Sequence, residues 1–139
     1  MHLLDTDTLS LLHAGNPRLR ERQAQVGTWQ IATTAITRIE ILQGRFAFIL
    51  RAVNGEELLR AFAWLVRSED LLQQIPVLPI DHEVAANFDR LRQHRKLKKI
   101  GRADLLIAAF ALTHEATVVT RNLRHFRLVP GLQVENWIE

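Results

Sequence analysis

Met1-His2-Leu3-Leu4-Asp5-Thr6-Asp7-Thr8-Leu9 is the stretch on which the reading of this chain turns: a short apolar run that stops at two carboxylates interleaved with threonines. An apolar run of this length suits a strand buried on both faces, and the acids then fall where the strand ends. In an open α/β sheet, ligands bind in the crevice beyond the carboxyl ends of the central strands. Asp5 is therefore the first candidate for a metal or phosphate site, and the rest of the chain must supply its partners.

Working outward, His2 to Asp5 is the expected first strand. Thr8 to His13 follows as a short helix, closed by the breaker cluster Ala14-Gly15-Asn16-Pro17. Arg18 to Gln25 reads as a polar surface helix, and Trp29 to Thr34 has the composition of a second strand. From about Thr37 to Leu50 the period changes, with Ile39, Leu42, Phe46 and Ile49 at helical spacing. Glu40 sits one residue off that stripe, and Gly44 on the same side leaves room for close approach. Asn54-Gly55 is a break. Glu56 to Gln74 is helical in composition, but its apolar residues from Leu58 to Val66 cover more than one face, which suits a partner or dimer contact as well as internal packing.

Ile75 to Ile80 is a short strand bracketed by prolines. Asp81 looks like the N-cap of a helix running to about Lys96. Arg102 to Leu112 is apolar nearly all round, hence a buried helix with Asp104 in its first turn. Ala116 to Thr120 is another β-branched strand, Arg121 to His125 a polar loop, and Gln133 to Ile138 a final strand after the Pro130-Gly131 turn. No repeat or linker divides the sequence, so residues 1–139 form one domain. Strands separated by helices predict a mostly parallel sheet covered on both faces, with the first strand central and beside the one ending at Thr120. Asp5 and the loop from Arg121 to His125 would then share one rim.

The chain has 139 residues, enough for one core, and no cysteine, which excludes thiol catalysis and cysteine metal sites and suits a reducing cytoplasm. The longest apolar run, Leu105 to Leu112, is far below the ~18 residues that span a bilayer, so a cytoplasmic protein is expected. Net charge is only +3, yet the basic residues cluster: Arg90, Arg92, Arg95, Lys96, Lys98, Lys99 and Arg102 occur with no acid among them, and Arg121, Arg124 and Arg127 come later. Such segregation makes either a solvated helix face or a surface for phosphates.

Each acid has a structural alternative. Asp5 and Asp7 could cap the helix after them, Thr37-x-x-Glu40 matches a capping box, and Asp104 could complement a helix dipole. Asp81 has only its cap reading. Together, Asp5, Glu40 and Asp104 stand at helix starts that can meet at one rim. Two carboxylates ~4 Å apart repel by about 4 kcal/mol at an effective dielectric of roughly 20, so a converged cluster must bind a cation or hold a proton. Oxygen-only ligands select a hard metal, Mg²⁺ or Mn²⁺.

Leu3-Leu4-Asp5-Thr6-Asp7, Thr37-Arg38-Ile39-Glu40, Asp104-Leu105-Leu106-Ile107-Ala108-Ala109 and Val119-Thr120-Arg121-Asn122-Leu123-Arg124-His125-Phe126 resemble, in order and spacing, the PIN-domain family. They are similar in particular to the VapC-type toxins of bacterial toxin–antitoxin pairs. The resemblance implies a three-layer α/β/α sandwich and a Mg²⁺- or Mn²⁺-dependent endoribonuclease, restrained by a cognate VapB-like antitoxin and commonly a homodimer. By position it makes Asp5, Glu40 and Asp104 the acidic active-site residues, with Asp5 and Asp104 the direct metal ligands. Many relatives carry a further acid where this chain has Asn122 and His125. Asn122 is retained as a site residue, since an amide can still bond a metal-bound water.

In the mechanism this suggests, the metal lowers the pKa of a bound water, and Glu40 or Asp5 acts as base. Thr6 and Asp7 would support the site from behind. Arg95, Lys98, Lys99, Arg102, Arg121 and Arg124 would hold the RNA backbone. Two other functions remain open at this point. Asp5-Thr6-Asp7-Thr8 approaches the start of the haloacid-dehalogenase phosphatases, and the missing late acid suits a PIN-like module that binds RNA or protein without cutting it.

Overall fold

Successive residues of a strand face opposite sides of a sheet, and here both sides are dry. The computed structural model describes residues 1–139. Strands β1 (His2–Leu4), β2 (Ile31–Thr34), β3 (Val77–Leu78), β4 (Thr117–Val119) and β5 (Gln133–Glu135) form one sheet in the order β3-β2-β1-β4-β5, every pair parallel. Leu3, Ala32 and Val118 enter one apolar cluster, while their neighbours Leu4, Ile31 and Val119 enter another.

The helices divide accordingly. Helices α1 (Thr6–His13), α2 (Pro17–Val26), α3 (Ala35–Leu50) and α4 (Gly55–Gln74) bring Leu9, Leu12, Leu19, Ile41 and Leu72 to the side of Leu4. Helices α5 (His82–Arg92) and α6 (Arg102–Thr113) bring Val84, Leu91, Leu105, Ile107 and Phe110 to the side of Leu3. A single turn, α7 (Leu123–Phe126), follows β4. The result is the expected three-layer sandwich, with β1 central and β4 beside it. No helix is long and apolar enough to cross a membrane.

Local differences from the expectations have identifiable causes. β1 stops at Leu4 because Asp5 leaves the strand to cap α1, its carboxylate accepting from the Thr8 N–H at 3.0 Å. The helix therefore starts at Thr6, and Asp7 is an exposed first-turn residue rather than a cap. Similarly, α3 begins at Ala35, since Thr34 at the end of β2 accepts from the Thr37 N–H at 3.2 Å. Thr37 is thus not the cap, and the capping-box reading of Glu40 fails. Thr28–Gln30 is a 3₁₀ turn, so β2 begins at Ile31 and Trp29 is left 81% exposed.

β3 keeps only two residues because Pro76 and Pro79 have no N–H to give a ladder. α5 ends at Arg92, short of Lys96; a 3₁₀ turn at Arg95–Leu97 follows, and the chain leaves the helix axis so that Leu97 and Ile100 can be buried. β5 is limited to Gln133–Glu135, and the expected loop from Arg121 to His125 contains the start of α7. Asp81 caps α5 as expected, accepting from the Val84 N–H at 2.9 Å. Asp81→Ala should therefore lower the free energy of urea unfolding by about 1 kcal/mol without altering its slope, whereas Asp7→Ala should change it by less than about 0.5 kcal/mol.

Candidate active site

The site forms where β1 and β4 end together. Leu4 is paired with Val119, and the Asp5 N–H donates to the Val119 carbonyl at 3.1 Å, so Asp5 and Thr120 leave the sheet side by side. Both are buried. The Thr120 hydroxyl donates to Asp5 Oδ2 at 2.5 Å and accepts from the Asn122 N–H at 2.9 Å. Asp5 Oδ1 takes the Thr8 N–H, so each of its oxygens already has a donor. The Thr33 hydroxyl donates to the Leu4 carbonyl at 2.8 Å, tying β2 to the same point.

The other two acids arrive from α3 and α6. Thr6 donates to Glu40 Oε1 at 2.5 Å, and its hydroxyl lies 3.3 Å from that of Thr37. Asn122 Nδ2 donates to Asp104 Oδ2 at 3.2 Å and lies 2.8 Å from His125 Nδ1. Asn122 thus joins the acids, and His125 is brought in behind it. Asp7, in contrast, forms no hydrogen bond or ion pair and touches the site only through its charge, which acts on Asp5.

Burial and neighbouring charge both act on the acids. Burial pushes the Asp5 carboxyl above its ordinary range, against the hydrogen bonds from Thr120 and Thr8, which favour the charged form. Asp104 is also raised, first by burial and then by the charge of Asp5, with Glu40 adding to it and the Asn122 amide opposing it. Still, no group of three acids or histidines is drawn together tightly enough to hold one ion. The expected convergence is only partial, because each carboxylate has turned onto its own protein donor. The donor set nevertheless fits a hard cation: all ligands are oxygen, their negative charges are uncompensated, and Mg²⁺ needs only one or two carboxylates besides its waters.

The basic residues singled out in the sequence are free of ion pairs. Arg95, Lys98, Lys99, Arg102, Arg121 and Arg124 are all exposed, and none is within ion-pair distance of a carboxylate; the pairs present are His2 and Arg22 with Glu135. Arg102 opens the helix that carries Asp104, and Arg121 follows Thr120 directly. Sequence reasoning gave Thr120 no role of its own. Its signal was the alignment of β1 with β4, which puts it level with Asp5, and that register is visible only once the strands are paired.

The PIN domain family model matches residues 3–132. This chain belongs to the PIN-domain family. Relatives of this PIN domain include ribonuclease VapC19 of Mycobacterium tuberculosis, 30% identical over 96% of this chain and 98% of that one. The tRNA(fMet)-specific endonuclease VapC of Salmonella typhimurium is 27% identical over 97% of this chain and 96% of its own. Among solved structures, the DNA-bound VapBC of Salmonella typhimurium superposes with a TM-score of 0.79 at 28% identity, covering 98% of this chain and 97% of that one.

Family membership overturns the phosphatase alternative. PIN-domain ribonucleases generally use a divalent metal. A carboxyl whose pKa is raised by folding favours the folded state while protonated; that stability is complete below the unfolded value and is lost as pH rises through the folded one. Asp5 and Asp104 are both of this kind, against an ordinary value of 3.8. In EDTA, Asp104→Asn should therefore raise the melting temperature at neutral pH, and the gain should vanish below about pH 4. An unchanged or lower melting temperature at neutral pH would contradict this charge strain.

Proposed function

We propose that this PIN domain is a Mg²⁺- or Mn²⁺-dependent endoribonuclease, the toxin of a pair restrained by a VapB-like antitoxin. The observation that carries the reading is the juxtaposition of Asp104 with the charges of Asp5 and Glu40, with the unpaired Arg102 and Arg121 close in sequence to Asp104 and Thr120, in a chain whose relatives of nearly equal length are VapC ribonucleases. Negative charge attracts the metal at the centre, and positive charge around it attracts the phosphates.

Asp5 and Asp104 are the residues that would hold the metal. When bound, the cation would polarise a phosphodiester oxygen and lower the pKa of a coordinated water. The chain's own groups divide the remaining work. Glu40 has one oxygen held by Thr6 and the other free, whereas both oxygens of Asp5 are occupied, which favours Glu40 as the base that takes the proton from the attacking water. Asn122 orients Asp104 and offers an amide to the substrate phosphate or to water, in place of the acid that many relatives have. Arg102 and Arg121 hold the strand through its phosphates, a contact that positions without reading bases.

A partner is also supported by exposed apolar surface. Phe46, Phe48, Leu58, Leu59, Phe62 and Val66 on α3 and α4 are at least 41% exposed, while Ala61, Ser68 and Leu72 of α4 face inward. An apolar face of this kind suits antitoxin binding or the homodimer contact. The missing late acid keeps a non-cutting RNA- or protein-binding module as a second reading.

The two are separated by incubating purified protein with structured RNA in Mg²⁺ or Mn²⁺. Cleavage should disappear in EDTA and fall by more than about a hundredfold, the scale of a lost electrostatic contact in a site, in Asp5→Asn and Asp104→Asn. Expression alone should arrest bacterial growth, with Asp104→Asn relieving it. RNA left intact by wild type and mutants alike would favour the non-cutting module.

A further inference from the structure

α5, the turn after it and the start of α6 border a cavity of about 320 Å³ that none of the acids lines. It falls at the lower end of the range of roughly 300–1,000 Å³ typical of small-ligand sites. Its floor is apolar, with Phe88, Leu97 and Leu105, and its edge carries Arg92, Lys98 and Arg102. The Arg92 guanidinium lies over the Phe88 ring, 5.6 Å from its centroid, so ring and guanidinium form one stacked pair at the cavity's edge. None of the three cations is within ion-pair distance of a carboxylate. Asp89 and Asp104, each next in sequence to a lining residue, do not line the cavity.

The cavity's position relative to the acids follows from helix geometry. Arg102 and Leu105 are three residues apart on α6 and share a face, while Asp104 lies between them in sequence and points around the helix towards Asp5. The cavity and the acidic site are thus separated by about one helix width, on the order of 10 Å. A strand crossing the N-terminus of α6 would place a neighbouring nucleotide in the cavity.

We propose that this cavity is a nucleobase subsite for single-stranded RNA, in which a base unstacked from its strand extends the stack of Arg92 on Phe88 while Lys98 and Arg102 hold the adjoining phosphates. Aromatic rings and guanidinium planes are the surfaces on which splayed RNA bases stack, and cations beside them track the backbone. A cavity made for phosphate alone would not need an apolar floor. The choice of RNA as ligand rests on the nuclease reading, but the subsite can be tested without any cleavage.

The test uses the full chain carrying Asp104→Asn, in EDTA, and measures by fluorescence anisotropy the affinity for a short single-stranded RNA and for an abasic strand of equal length and charge. The RNA should bind roughly tenfold tighter than the abasic strand, the scale of one base stacked on an aromatic group. Phe88→Leu, which keeps an apolar floor, should abolish that difference and leave abasic binding unchanged. Phe88→Tyr should retain it, and Lys98→Ala should weaken both strands equally. Equal affinity for the two strands, a difference that survives Phe88→Leu, or no binding of either would overturn the subsite. The nuclease reading fails separately, through absence of metal-dependent cleavage by the protein with Asp104 intact.

Discussion

The Thr120 hydroxyl, donating to Asp5 and accepting from the Asn122 N–H, is the interaction on which the site depends. It lies at the common end of the two central strands and supplies one of the two donors that keep a buried carboxylate solvated. The Thr8 N–H supplies the other, and with it Asp5 becomes the N-cap of α1. Capping and chemistry are therefore not alternatives at this residue. A carboxylate at the positive end of a helix, accepting from a backbone N–H and a hydroxyl, can stay ionised where burial alone would neutralise it.

From that point the rest of the site is organised by pairing each acid with a neutral donor of its own: Asp5 with Thr120, Glu40 with Thr6, Asp104 with Asn122. None of the acids is in an ion pair with a lysine or arginine. Neutral donors orient a carboxylate without discharging it, which leaves the negative potential available to a cation. Burial of the same acids destabilises the fold by raising the pKa values of Asp5 and Asp104, a shift the donors oppose. Stability is given up locally to keep charge in place, as functional sites commonly do.

Asn122 shows how one substitution within a family pattern is absorbed. An acid at this position would add a further negative charge beside Asp104; the amide instead donates a hydrogen bond to it and approaches His125. The change lowers the charge of the site while keeping Asp104 oriented. On the far side of α6, the cations and Phe88 occupy a face that the acids do not share. A single helix start therefore presents opposite charge on two sides, and a strand of nucleic acid passing over it meets both.

The sequence by itself determined the alternation of strands and helices, the central place of β1, and the acids that fall at helix starts. It could do so because apolar periodicity and the residues that end it are local properties of the chain. Even so, local signals misread the caps in part: Thr37 looked like the start of α3, whereas Thr34 fills that place, and of Asp5 and Asp7, both possible caps of α1, only Asp5 is one. At both places the cap stands where the strand ends, so the strand leads directly into the helix. Only the tertiary structure decided that Thr120 would stand level with Asp5, that Glu40 would turn to Thr6, and that Phe88 and Arg92 would meet the start of α6. Those pairings join residues 115, 34 or at least ten positions apart, and such separations are set by strand register and helix packing, which no local pattern encodes.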